Sequence, residues 1–306
     1  MKKNKSQREA YGQVLLSLAK ENEKVLALTA DLASSTRLIS FKQKYPERFF
    51  DIGVAEQNAV GIAVGLSLEG FIPFLSSFAV FLPGRCFDQI RVSVCQNKAN
   101  VKLIGSHLGF SNAGDGATAQ SVADLALMRS LPNMTVLSPI DAVELKEAIM
   151  AMAVMKGPAY LRMSRMETPI VVKKGNFELG KANILQKGKE ATLVGTGPIL
   201  AKILPWLKKQ DLEIINCATI KPLDEKTIKK SAQKTGRVLT LEEHSVIGGL
   251  GAAVSSALSN TGLPVKRIGI PDVFGESARL AEELYAQYNL DEEGLIKTVE
   301  EYLESN

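Results

Sequence analysis

The chain has 306 residues, 45% of them hydrophobic and 23% charged, which is an ordinary globular composition with room for two domains. Its 37 basic and 33 acidic residues leave a net charge of +4, too small and too dispersed to suggest a nucleic-acid partner. The basic start Met1-Lys2-Lys3-Asn4-Lys5 runs into Ser6-Gln7-Arg8-Glu9 without an apolar stretch, no apolar run reaches membrane-spanning length, and Cys86, Cys95 and Cys217 lack metal-ligand spacing, so a reduced cytoplasmic protein is expected.

Hydrophobic spacing predicts a helix over 7–20, strands over 25–29 and 49–52, a helix over 56–69, a strand over 72–76 and a helix over 82–97. Further on come a strand over 101–105, a helix over 121–129, a strand over 135–137, a helix over 142–152 and a strand over 159–163. Strands alternating with helices of this length build right-handed βαβ units and a mostly parallel sheet. Residues 171–189, with Lys173, Lys174, Gly175, Gly180, Lys187 and Gly188, have no helical period and read as a linker. A second series follows, with strands over 191–194, 213–217, 238–242 and 265–268 and helices over 199–209, 224–233, 249–258, 276–288 and 293–303. The fold class is therefore α/β, with two open parallel-sheet αβα domains, 1–178 and a smaller 179–306.

In such sheets, ligands bind beyond the carboxyl ends of the strands, where Asp31, Gly53, Ser77-Phe78 and Ser106-His107 fall. Glu56 opens a helix with no other charge until Glu69. It reads either as a first-turn carboxylate held by the helix dipole or as a buried group for proton transfer, and the two are compatible. His107, one of two histidines, follows an apolar strand and precedes a Gly-rich loop, as a structural or a catalytic imidazole would. Gly114-Asp115-Gly116 reads as a turn rather than half a metal motif, since no Asn follows at the right distance. Gly195-Thr196-Gly197 and Gly248-Gly249-Leu250-Gly251 complete no dinucleotide fingerprint and read as tight turns. Glu242-Glu243-His244 reads as solvated charge at a strand end, or as an interface. Among Phe71, Phe74, Phe78, Phe81 and Phe87, the pair at the strand end, Phe78 and Phe81, suits a wall for a flat heterocycle.

Taken in order, Asp31-Leu32-Ala33-Ser34-Ser35, Gly53-Val54-Ala55-Glu56-Gln57, Ser76 to Phe81, His107 to Gln120, Pro139-Ile140-Asp141 and Arg162-Met163-Ser164-Arg165 resemble the pyrimidine-binding domain of transketolases. Ile220-Lys221-Pro222-Leu223-Asp224 and Glu242 to Gly251 resemble the transketolase C-terminal domain. The resemblance spans nearly the whole chain but only the second half of a full transketolase. It implies the C-terminal subunit of a split enzyme that uses thiamine diphosphate, with Mg2+ or Ca2+ held by an N-terminal partner in an α2β2 heterotetramer. It gives Glu56 the bond to the aminopyrimidine N1′ that activates the cofactor, places Phe78 and Phe81 beside that ring, and makes His107 catalytic. It assigns Arg8, Ser35, His107 and Arg165 to an anionic-sugar clamp and Asp115 to a substrate hydroxyl. Two positions depart from the family: an aromatic is replaced by Gly84, and a histidine near the reacting carbons by Ala119. The second departure points to a modified sugar, such as 6-deoxy-6-sulfofructose or apulose 4-phosphate, as an alternative to the common sugar phosphates. A 1-deoxyxylulose-5-phosphate synthase-like or 2-oxoacid dehydrogenase β-like subunit is the remaining alternative.

Overall fold

The computed structural model describes residues 4–305, so Met1, Lys2 and Lys3 of the basic start lie outside the described residues. Fully buried runs such as Val25–Thr29 and Lys102–Ser106 form strands because helices cover both faces of their sheet. Seven strands lie in the order Thr219–Lys221, Thr135–Leu137, Ala159–Met163, Lys102–Ser106, Ile72–Phe78, Val25–Thr29, Phe49–Asp51. All neighbours are parallel except the first pair. On one face, helices Gln7–Glu21 and Ala142–Val154 bury Tyr11, Leu15, Leu145 and Ile149. Each starts on a side-chain cap, from Ser6 and Asp141 respectively. On the other face lies helix Glu56–Leu68.

A second, five-stranded sheet runs Val265–Ile270, Val238–Ser245, Ala191–Gly195, Leu212–Asn216, Asn183–Gln186. Its last strand is antiparallel and lies inside the stretch expected to be a linker. The half-exposed edge gives it a polar composition that hides it in the sequence. Residues 82–97 are not one regular helix. Short turns Phe81–Arg85 and Phe87–Gln89 break at Cys86 and lead into a π-helical stretch, Ile90–Gln96. The helix expected from 276 starts only at Ala281, because Gln120 and the carbonyl of Ala113 hold Glu276 and Ala278 in extended chain.

The two sheets are joined by buried polar contacts rather than solvated ones. Glu242, Glu243 and His244 are all buried. Glu242 accepts the N–H groups of Leu250 and Gly251 at 2.6 and 2.7 Å, capping the helix Leu250–Ala257. The Glu243 carbonyl accepts from Arg162 at 3.0 Å, and His244 Nε2 accepts the Ala126 N–H at 3.3 Å. Of the two readings of this triplet, solvated charge is wrong and the interface is right.

Candidate active site

The carboxyl ends of the parallel strands bring most of the singled-out residues to one edge of the first sheet. Asp31, Arg37 and His107 there have left-handed backbones, with φ of 57°, 62° and 64°. Such strain in residues other than glycine concentrates at functional sites.

Glu56 is the first residue of helix Glu56–Leu68 and is buried. It is not isolated. One Arg85 nitrogen lies 3.1 Å from each of its oxygens, and that guanidinium sits 4.1 Å from the centroid of Phe81. Phe78 and Phe81 stack with centroids 5.6 Å apart and planes at 18°. Arg85 thus links the Phe78–Phe81 stack to the Glu56 carboxylate. The helix behind Glu56 is not buried all round: Ala59, Val60 and Ala63 face the core while Gln57, Asn58, Gly61 and Leu68 are exposed.

His107 is buried 4.0 Å from the Phe78 centroid, its Nδ1 2.8 Å from Ser106 Oγ. Burial, then the charges of Arg8, Arg165 and Arg37, push its pKa down to about 3. It is therefore a neutral imidazole at physiological pH, with Nδ1 at Ser106 Oγ and no hydrogen bond at Nε2 among the described residues.

Arg8 donates to the Ser35 carbonyl at 3.0 Å and the Arg165 carbonyl at 3.3 Å, and Arg165 donates to Asn112 Oδ1 at 3.0 Å. Burial, then Arg37 and Arg165, lower the Arg8 pKa to about 10. Among the described residues no carboxylate forms an ion pair with Arg8, Arg37 or Arg165. Two buried donors, Arg8 Nε and Asn112 Nδ2, lack a partner. Clustered cations with unfilled donors suit a tetrahedral anion. Arg37, Asn112 and Arg85 are the members that sequence reasoning missed. Positive φ at Arg37 and the approach of Arg85 to Glu56 leave no signal in spacing.

Asp115 is brought to the same loop as Asn112, but it is exposed and its side chain makes no hydrogen bond among the described residues. Ala119 is buried, and a Cβ added at Gly84 would meet no neighbouring atom within 4 Å. No group of three or more metal-ligating side chains is found among the described residues.

Residues 3–171 match the transketolase pyrimidine-binding domain, and residues 180–295 match the transketolase C-terminal domain. The chain belongs to the transketolase family. It is 43% identical over 307 residues to a protein of Methanocaldococcus jannaschii named as a transketolase C-terminal section, covering 97% of this chain and 96% of that one. It is 37% identical to a 6-deoxy-6-sulfo-D-fructose transketolase subunit of a Clostridium species, covering 97% and 94%. A split-gene transketolase, solved as an inactive β4 tetramer, superposes with a TM-score of 0.87 at 42% identity, covering 97% of this chain and 98% of that one. The transketolase-like α/β fold is thus the one expected, with mixed, mostly parallel sheets.

Proposed function

We propose that this chain is the subunit of a two-part transketolase that holds the pyrimidine end of thiamine diphosphate and the anionic end of the sugar. The observation that carries this reading is the pairing, on one sheet edge, of Glu56 and the Phe78–Phe81 wall with an uncompensated arginine cluster around a neutral His107. The stacked rings offer a flat apolar face, and the adjacent carboxylate can bond a ring nitrogen, so these residues fit an aminopyrimidine. Glu56, Phe78 and Phe81 would hold that ring. When bound, thiamine diphosphate supplies the electron sink for carbon–carbon bond cleavage next to a carbonyl. Its divalent metal, Mg2+ or Ca2+, belongs to an N-terminal partner in an α2β2 assembly.

Glu56 holds a proton at the pyrimidine nitrogen. To do so it must give up at least one of its two contacts with Arg85, whose side chain is half-exposed and free to swing away. His107, neutral and hydrogen-bonded at Nδ1, orients through Nε2 the sugar oxygen nearest the reacting carbon. Arg8, Arg37 and Arg165, with the Ser35 segment and Asn112, bind the phosphate or sulfonate of the ketose and aldose. Asp115 takes a substrate hydroxyl.

The test is a mixture of the chain with its N-terminal partner, thiamine diphosphate and Mg2+. It should move a two-carbon ketol unit from xylulose 5-phosphate to ribose 5-phosphate. Release of CO2 from pyruvate in place of that transfer would instead support the synthase-like or dehydrogenase-like alternative. The modified-sugar reading rests on Ala119 and on the relative that acts on a sulfosugar. A higher kcat/KM with 6-deoxy-6-sulfofructose than with fructose 6-phosphate would favour it.

A further inference from the structure

The loop that carries Asn112 is seated on the second domain. Its ends meet in two backbone bonds, from Gly109 N–H to the Ser121 carbonyl at 2.9 Å and from Ser121 N–H to the Gly109 carbonyl at 3.1 Å. Loops closed in this way are compact and frequently functional. Gly109 lies against the buried Glu243, so closely that a Cβ there would come within 2.6 Å of Glu243 Cγ. The Glu243 carboxylate is held in turn by the Tyr285 hydroxyl. Phe110, fully buried, packs on two second-domain rings, with centroids 6.0 Å from Tyr285 and 5.3 Å from Tyr288. Aromatic pairs at these separations add to the energy of burial and favour particular ring geometries. Next along, the Ala113 carbonyl accepts the Ala278 N–H at 3.3 Å.

Between Phe110 and Ala113 stands Asn112, which faces the arginine cluster. It is buried, its Oδ1 accepts from Arg165 at 3.0 Å, and its Nδ2 has no partner among the described residues. No side chain of the second domain hydrogen-bonds to Arg8, Arg37 or Arg165 among the described residues. A route from the second domain to the cluster therefore runs through the backbone of residues 109–113.

We propose that Tyr285 and Tyr288 are positioning residues of the anion site. By clamping Phe110, and Gly109 through Glu243, they hold Asn112 where it fixes the Arg165 guanidinium and turns its unpartnered amide N–H to the phosphate or sulfonate. The inference rests on the anion-site reading of that cluster. It makes the second domain a determinant of anion affinity although it supplies no group to the anion. The coupling is reciprocal: an anion held by Asn112 and Arg165 steadies the loop and so tightens its hold on the helix Ala281–Gln287.

The full chain is titrated with inorganic phosphate while amide hydrogen exchange is followed at 109–113 and 281–288. Phosphate should slow exchange in both segments of the parent. Tyr288→Leu, which takes the ring from Phe110, should weaken phosphate binding about three- to tenfold and abolish the protection at 281–288. Tyr288→Phe should restore both, since the Tyr288 hydroxyl bonds only to the exposed Glu276 among the described residues. Tyr285→Phe, a gentler change that frees Glu243, should weaken phosphate about threefold. In the assembled complex Tyr288→Leu should raise the KM for xylulose 5-phosphate and leave kcat nearly unchanged. Arg165→Ala separates this inference from the reading it rests on. Phosphate binding unaffected by Arg165→Ala would refute the anion site itself. Binding lost in Arg165→Ala but parent-like in Tyr288→Leu and Tyr285→Phe, whatever their melting temperatures, would refute the positioning role alone.

Discussion

Among the described residues Glu56 forms an ion pair with one guanidinium, that of Arg85. Because Arg85 is half-exposed, the pair contributes only about 0–1 kcal/mol to stability. Glu56→Gln should therefore leave the melting temperature nearly unchanged while ketol transfer by the assembled complex falls about 10²–10⁴-fold. Unaltered turnover would remove Glu56 from proton handling. Arg37 is exposed and acts on Arg8 and His107 through its charge alone. Arg37→Ala should raise the KM for an anionic sugar about three- to tenfold, more at low salt, with kcat little changed. A KM independent of ionic strength in both proteins would place Arg37 outside the anion site. Glu56, Phe78 and His107 lie where the sequence puts them: Glu56 opens the helix Glu56–Leu68, Phe78 ends the strand Ile72–Phe78 and His107 follows the strand Lys102–Ser106. Arg37, Arg85 and Asn112 were not legible, because nothing in a spacing says which way a loop arginine turns or which amide faces it.

The helix Ala142–Val154 carries an ionisable group into the seam between the sheets. Glu144 accepts the Ile140 N–H at 2.7 Å and the Asn216 amide at 2.6 Å, and burial raises its pKa from 4.5 to about 8. A folded pKa above the unfolded one stabilises fully below pH 4.5, and that stabilisation is lost as pH rises toward 8. A proton on Glu144 also finds an acceptor: turned over, the Asn216 amide presents Oδ1, which otherwise has no partner. Glu144→Gln should thus flatten the loss of urea stability between pH 5 and 8; a variant that loses stability as steeply as the parent would place the titration elsewhere. The histidines act in the opposite sense. Burial pushes His107 down to about 3 and His244 down to about 4, so their contribution is present above pH 6.5 and lost as pH falls through those values. At this scale the sequence was most readable where burial is two-sided. Val25–Thr29, Thr135–Leu137 and Ala159–Met163 lie where the apolar runs put them, whereas the edge strands Asn183–Gln186 and Thr219–Lys221 carry too little apolar pattern to stand out.

For the molecule as a whole, the proposed cofactor site is one-sided. On the reading proposed above, Glu56, Phe78, Phe81 and the arginine cluster would take the pyrimidine ring and the sugar anion, and no group of three or more metal-ligating side chains occurs among the described residues. If the chain is one part of a two-part enzyme, as proposed, it should give no measurable ketol transfer alone, and adding the N-terminal subunit should restore it with a one-to-one titration end point. Full activity without that subunit would refute the split site. The order of strands in the first sheet bears on a different matter. Its outermost member, Thr219–Lys221, is donated from beyond the linker and hydrogen-bonds to Thr135–Leu137. A fragment ending at residue 178 would leave that neighbour with a bare row of N–H and C=O groups, an invitation to pair with another molecule. Such a fragment should sediment as aggregate, and a synthetic peptide spanning 217–223 should return it to solution. The two halves are in that sense laced together: the second closes the open seam of the first.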